Sequence, residues 1–330
     1  MGYIDNGKWQ KHADKKFNNG HFIRTDSQYS QPLPNAIIDS LNHNEDRYIL
    51  IISESCPWSH RVVLMRALKG LQTRVPLLIA AGPRLEGYAL PDQAGKEKID
   101  GKITHIHELY SKTDSTYSGR ATVPLLYDCF TQKIVCNQST ALMRGLDKIT
   151  SEQDFTLYPT ALAARINSLN ARIYNGLSNA VYRAGLARSQ AAYREAADQV
   201  FATLDYLENL LGINPFLCGN LLTESDLQLF ATLVRFDAVY ATHFRCTRHR
   251  LVDYPFLFPY ARRIFNLPGV SDTVNFSAIL EGYYVNDGDH NPHKIIADLP
   301  VTNWTGNSKK SDSDIPLVSA RNGRTIPLPP

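Results

Sequence analysis

The spacing of apolar residues changes character about half-way along the chain. Tyr48–Ser53 (YILIIS) is a short, nearly unbroken apolar run of strand length. Beyond Pro57, Val62, Met65, Leu68 and Leu71 recur at helical spacing. Proline suits the first turn of a helix, where its missing N–H has no partner to lose. The pattern therefore predicts strand, tight junction and helix, with Cys56 at the junction. Val75–Ile79 predicts a second strand, in which Pro76 marks an edge or a start. Residues 82–102, rich in Gly, Pro, Asp and Lys, read as an irregular insertion, and Ile103–Ser111 as a helix. After a turn at Tyr117-Ser118-Gly119-Arg120, Thr122–Tyr127 and Lys133–Cys136 read as two strands joined by a polar hairpin turn. Ser139–Leu146 ends the series as a helix.

From about residue 155 helical spacing takes over. Tyr193, Ala197, Val200, Leu204, Leu207 and Leu211 make one buried face in a helix over 189–211. Thr223-Glu224-Ser225-Asp226 has the form of a capping box ahead of an apolar run, with Asp226 reaching back to the first amide. Two further helices fit 254–266 and 270–281. The two ends lack such order. Residues 1–45 are polar and aperiodic and read as an extended arm that wraps on the fold or frays, and residues 301–330, polar and Pro-ended, read as a flexible tail, disordered or only loosely docked. The expected architecture is that arm, an α/β domain over 46–150, an all-helical domain over 155–300, and the tail.

Composition narrows the function classes. An apolar fraction of 43% and a length of 330 residues fit a folded chain with two cores. A net charge of +3 gives no support to a nucleic-acid or membrane partner. No apolar run approaches the ~20 residues of a bilayer span. The first sixteen residues hold no secretory apolar region, and Asn6 stands where a myristoylation signal needs Ser or Thr. Five sparse cysteines, an odd number, fit a reducing compartment, so the expected location is the cytoplasm.

Ser55-Cys56-Pro57-Trp58-Ser59-His60-Arg61 carries the strongest chemical signal. A thiol at a helix start faces the positive end of the macrodipole and the first-turn amides, and both favour thiolate. Position 59 is Ser, so the site has one thiol, and a mixed disulfide on Cys56 needs an outside thiol to resolve it. Two readings of Val123-Pro124 stay open: a cis proline that presents backbone to an extended peptide, or a plain edge-strand start. Gln138-Ser139 sits before a helix, where side chains and amides can hold a carboxylate, or where Ser139 is simply the cap. Cys129, Cys136, Cys218 and Cys246 read as structural, and no spacing resembles a zinc site.

Taken together, SCPWSHR at 55–61, LYSKTDSTYSGRATVPLLYD at 109–128, VYRAGLARSQAAY at 181–193, LTESDLQLFATLVRFDAVYATHF at 222–244 and YPFLFPYARRIFNLPGVSDTV at 254–274 resemble the glutathione transferase superfamily. More narrowly, with Gly-Tyr-Tyr at 282–284 and His290-Asn291-Pro292, the chain is similar to the glutathionyl-hydroquinone reductases, or Xi class, over residues 46 to 300. No metal is expected from the cysteine spacing. The resemblance implies a thioredoxin-like N-terminal domain followed by an all-α domain, and a homodimer. It implies glutathione as co-substrate and a glutathionylated aromatic small molecule as substrate. Cys56 would take the glutathionyl sulfur, and a second glutathione would free it. The glutathione site maps to Arg120, Val123, Pro124, Gln138 and Ser139, with Tyr88 as a platform. Tyr182, and Tyr283 or Tyr284, map beside the aromatic ring.

Three positions depart from the family pattern: Gln138 replaces Glu, Tyr88 replaces Trp, and Gly282 replaces His. Rival readings on the same fold are a thioltransferase, a dehydroascorbate reductase, an aryl-thioether lyase or a noncatalytic binding protein.

Overall fold

The computed structural model describes residues 2–11, 17–43, 46–150, 154–286, 290–299, 302–305 and 315–329. The chain divides into two units that interleave in sequence. The first comprises Met1–Lys15, Arg24–Ser151 and Thr273–Ile296; the second comprises Lys16–Ile23, Glu152–Asp272 and Ala297–Pro330.

The first unit is built on a four-stranded sheet in the order Leu77–Ile79, Tyr48–Ile52, Leu125–Asp128, Lys133–Cys136. Tyr48–Ile52 pairs in parallel with Leu77–Ile79, through Leu50↔Leu77 and Ile51↔Leu78, and antiparallel with Leu125–Asp128, through Ile51↔Leu125. Helix Pro57–Leu68 makes the crossover between the parallel strands, and helix Ser139–Lys148 follows the last strand. This is the thioredoxin-like arrangement that the family resemblance implies. Every residue of Tyr48–Ile52 is buried. Ile49 and Ile51 join a core with Leu78, Leu109, Tyr110 and Leu125, while the alternate residues Leu50 and Ile52 are buried too. A strand covered on both faces reads as a continuous apolar run, which is why it stands out in the sequence.

The N-terminal arm is more ordered than its composition suggests. Tyr3–Asp5 and Lys8–Gln10 form a hairpin with Asp5 opposite Lys8, and Asn6 and Gly7 turn it with φ of 45° and 73°. An Asn-Gly pair favours such a two-residue loop because both central residues need positive φ. The hairpin packs into the first unit: Ile4 is fully buried and exchanges two backbone bonds with Gly119, at 2.8 and 2.9 Å. Trp9 stacks on His107 with centroids 4.4 Å apart. Asn35–Asn42 is helical. Residues 12–16 and 44–45 of the arm lie outside the described residues.

The second unit is mainly helical, including Ala163–Ile173, Gln190–Leu211, Glu224–Leu233 and Leu257–Phe265. Ser189 caps the long Gln190–Leu211 helix by accepting the Ala192 amide at 3.2 Å. Two expectations are corrected here. Helix is not continuous from 155, because Phe155–Thr156 is a short strand. The tail is not wholly flexible, because Leu317–Ala320 pairs with Phe155–Thr156 and with Thr325–Pro327. Trp304 is buried against Phe258 and Phe265 as well. Tail and strand satisfy each other's backbone groups, which a sequence window cannot register. Residues 306–314 and 330 lie outside the described residues. A second Asn-Gly hairpin, at Asn19-Gly20, joins Phe17–Asn18 to His21–Phe22 within this unit.

The helix expected over 270–281 is broken. A single 3₁₀ turn at Ser271–Thr273 precedes Phe276–Leu280, and Asn275 caps the latter by accepting the Ala278 amide at 3.0 Å. A wide π turn over Glu281–Val285 follows.

Candidate active site

Ser53, Glu54 and Ser55 lead from the central strand to Cys56, which is the cap position of Pro57–Leu68 with extended backbone, φ −81° and ψ 119°. Its amide donates to the Ser53 carbonyl at 3.0 Å, and its carbonyl accepts the His60 amide at 2.9 Å. The backbone is thus held while the side chain makes no capping bond. The Sγ lies 3.6 Å from the Val123 carbonyl, with the thiol as donor. Of the two readings of Val123-Pro124, the structure has the cis bond.

All five cysteines are free thiols. Burial pushes Cys129 up to about 11 and Cys246 up to about 12, and raises Cys136 and Cys218 as well. These four are poor nucleophiles at neutral pH.

His60 and Arg61 have partners of their own. His60 Nε2 is 2.9 Å from Thr273 Oγ1. Buried Arg61 donates from Nε to Ser139 Oγ at 2.9 Å, again from Nη2, and to Thr140 Oγ1 at 3.3 Å. Arg120 is a cation that interacts electrostatically with Tyr88 and Cys56. Burial first, then Arg24 and Arg84, hold that guanidinium down at about 10, with Tyr88 and Cys56 acting the other way. Burial likewise raises the Tyr88 phenol, against the pull of Arg84. Arg24 in turn stacks over the Trp58 ring, 4.1 Å from its centroid.

The segment from Arg120 to Pro124 is held from beneath by a tyrosine network. Tyr117 donates its hydroxyl to the Arg120 carbonyl at 3.0 Å, and Tyr110 donates to the Thr122 carbonyl at 2.8 Å. Asn137 Nδ2 donates to the Tyr110 oxygen at 2.9 Å. Sequence reading missed this network, since its residues look like ordinary amphipathic core.

At the other helix start, Gln138 rather than Ser139 is the cap: Gln138 Oε1 accepts the Ala141 amide at 2.6 Å. Ser139 is the first helical residue. Because Arg61 donates to its oxygen, the Ser139 hydroxyl keeps its own proton to give.

Tyr283 and Tyr284 are buried in the π turn over Glu281–Val285. This turn abuts the cysteine loop, since a Cβ at Gly282 would overlap the Ser55 side chain. A small cleft opens beside Ser55, walled by Ala80, Arg84, Tyr88, Glu281 and Gly282 among others. Tyr182 lies in the second unit, edge-on to Phe244 with centroids 5.2 Å apart and tilted against Tyr240 at 6.0 Å.

Residues 55–149 match the family model "Glutathione S-transferase, N-terminal domain", and residues 190–263 match "Glutathione S-transferase, C-terminal domain". Glutathionyl-hydroquinone reductase YqjG of Escherichia coli is 38% identical over 315 residues, which cover 90% of this chain and 94% of that protein. Glutathionyl-hydroquinone reductase PcpF of Sphingobium chlorophenolicum is 36% identical, covering 90% and 95%. The glutathione-bound structure of YqjG superposes with a TM-score of 0.74 at 39% identity, covering 79% of this chain and 87% of that one. The Xi-class transferase of Natrialba magadii gives a TM-score of 0.80 at 31% identity, covering 93% and 96%. This chain belongs to the glutathionyl-hydroquinone reductase family.

In this member of the glutathionyl-hydroquinone reductases, the first unit holds Cys56, Tyr88, Arg120, Val123, Pro124, Gln138, Ser139, Tyr283 and Tyr284. Tyr182 belongs to the second unit. Among the described residues, His105, His107 and Glu108 bring ligand atoms within 4.8 Å of one another. Glu108 Oε1 and the His105 side chain already form the capping box of helix Ile106–Thr113.

Proposed function

We propose that this protein removes glutathione from S-glutathionylated hydroquinones, with Cys56 as the thiol that accepts the glutathionyl group. The carrying observation is the placement of Cys56: cap of a buried helix, side chain unspent on capping, and within reach of the Val123 carbonyl. The likeness to two glutathionyl-hydroquinone reductases over 90% of the chain supports the substrate class.

In the first half-reaction the Cys56 thiolate attacks the thioether sulfur of the substrate. A sulfur–sulfur bond forms, the aryl carbon–sulfur bond breaks, and its electron pair stays on the aryl carbon, which takes up a proton. A buried phenol suits that delivery, and Tyr283 is assigned the task with Tyr284 beside the ring. The family resemblance adds Tyr182 to the same task. In the second half-reaction a glutathione thiolate attacks the mixed disulfide, giving oxidised glutathione and the free Cys56 thiolate. Net, one glutathione is consumed as reductant for each hydroquinone released.

Arg120 is suited to a glutathione carboxylate, and the Val123 backbone beside Pro124 to the cysteinyl backbone. The Ser139 hydroxyl is oriented to donate by Arg61, and Gln138 has amide donors beyond its cap bond. Tyr88 supplies the platform. A cytoplasmic location and a homodimer belong to the same proposal, and sedimentation at low protein concentration tests the latter.

The deciding experiment compares steady-state turnover of glutathionyl-menadiol with that of a glutathionylated peptide. Preference for the menadiol conjugate is the expected result; equal or better peptide turnover would overturn the hydroquinone assignment in favour of a thioltransferase.

A further inference from the structure

The residue that ties the glutathione platform to the tyrosine turn is Arg84, in the irregular insertion of the first unit. Its Nε donates to the Asn286 carbonyl at 3.1 Å, and its Nη2 donates to the Gly282 carbonyl. Its Nη1 lies 3.4 Å from the Tyr88 hydroxyl, and the guanidinium carbon sits 5.6 Å from the Tyr88 ring centroid. The last turn of any helix leaves carbonyls without intrahelical donors. Here those of Gly282 and Asn286 go to one guanidinium, while Asn291 Nδ2 takes the Tyr284 carbonyl at 2.6 Å. The backbone that carries Tyr283 and Tyr284 is therefore pinned on both sides. On its remaining side Gly282 lies so close to Ser55, next to Cys56, that only a residue without Cβ fits.

We propose that Arg84 is a positioning residue that sets Tyr283 and Tyr284 for the aryl half-reaction, and that Gly282 against Ser55 fixes the depth of that setting. Arg84 bridges two carbonyls about 200 residues away in sequence with a planar fork, a job that a single ammonium point donor does not reproduce. The role rests on the proposed function, but the placement of the turn does not. A proton donor displaced by even an ångström loses much of its effect, while the resolving thiol attacks a disulfide already formed and needs no aryl geometry. The signature is thus a split between the two half-reactions.

The test uses the full chain with Arg84→Met and Arg84→Lys. Single-turnover capture of the glutathionyl group from glutathionyl-menadiol is expected to slow about tenfold or more in both. Release of the Cys56 mixed disulfide by glutathione is expected to change less than about twofold, the size of a single modest contact. Amide hydrogen exchange over 283–286 should quicken in both variants, a readout that needs no substrate. Equal slowing of both half-reactions, full activity in Arg84→Lys, or exchange no faster than wild type each overturns the proposal. Failure of the wild-type protein to act on glutathionyl-menadiol would strike the proposed function alone, since the exchange result would still stand or fall by itself. Should Arg84→Met not fold, Gly282→Ala displaces the same turn from the other side. It should show the same kinetic split and recover when combined with Ser55→Gly, which clears the overlapping Cβ. Unimpaired capture in Gly282→Ala overturns the proposal too.

Discussion

Two helix starts in this protein are built and used oppositely. At Glu224–Leu233, Thr223 donates its amide and hydroxyl to Asp226 Oδ2 at 2.8 and 3.0 Å. Asp226 Oδ1 takes the Leu217 amide at 3.0 Å and the Tyr260 hydroxyl at 2.9 Å. Each of these groups is spent on another, and Thr223 and Asp226 have no exposed surface. At Pro57–Leu68 the cap residue is a cysteine whose side chain makes no capping bond, and the first turn carries no acid. The closed start stabilises the fold. The open one leaves the positive end of the helix dipole free for an anion that the proposed chemistry brings to it.

Substitution at each start should separate the two uses. Cys56→Ala should lower turnover by at least about 10³-fold, the scale on which removing a covalent nucleophile acts. Thermal unfolding of the same variant should shift by no more than about 1 kcal/mol, because no cap bond is lost. Measurable turnover near wild type in that variant would break the comparison outright.

Asp226→Ala should do the reverse. It strands the Leu217 and Thr223 amides and the Tyr260 hydroxyl in the interior, at about 1–3 kcal/mol for each group left unmade. Denaturant unfolding should show a loss of about 3 kcal/mol or more, while activity per folded molecule stays unchanged. A stability near wild type would mean that the box is ornamental.

The smallest effect is expected at the third helix start, where Gln138 both caps the helix and faces the proposed glutathione site. Gln138→Glu puts a negative charge at a helix N-terminus, worth about 0.3–1 kcal/mol. It also restores an ion-pair partner for an α-amino group, so glutathione should bind about two- to fivefold tighter by calorimetry. Unchanged affinity would remove position 138 from the site.

Much of this arrangement is legible in the amino-acid sequence. The YILIIS run, the Cys-Pro junction and the Thr223–Asp226 box each depend on residues within a few positions of one another, and each is where the spacing puts it. Two local signals went unread. Asn6-Gly7 and Asn19-Gly20 are hairpin turns in an arm that polarity alone marks as extended. Other features had no local signal at all. The tail strand depends on Phe155–Thr156, more than 150 residues earlier, and Arg84 finds its carbonyls in a turn 198 and 202 residues later. Nothing around Arg84 distinguishes it from a solvated loop cation, and nothing around Tyr110 distinguishes it from core packing.

What the amino-acid order determined by itself is the set of pieces: strands buried on both faces, helices with their starts, and one thiol placed at a junction. These follow from hydrogen bonds and side-chain periodicities that close within three or four residues. Only the tertiary structure decided which distant partner each of these groups would meet. It set Arg61 on Ser139, Tyr110 on Thr122, Arg84 on the tyrosine turn and Gly282 against Ser55. Such pairings require closing long loops, and the partner reached depends on the shape of the whole packed unit.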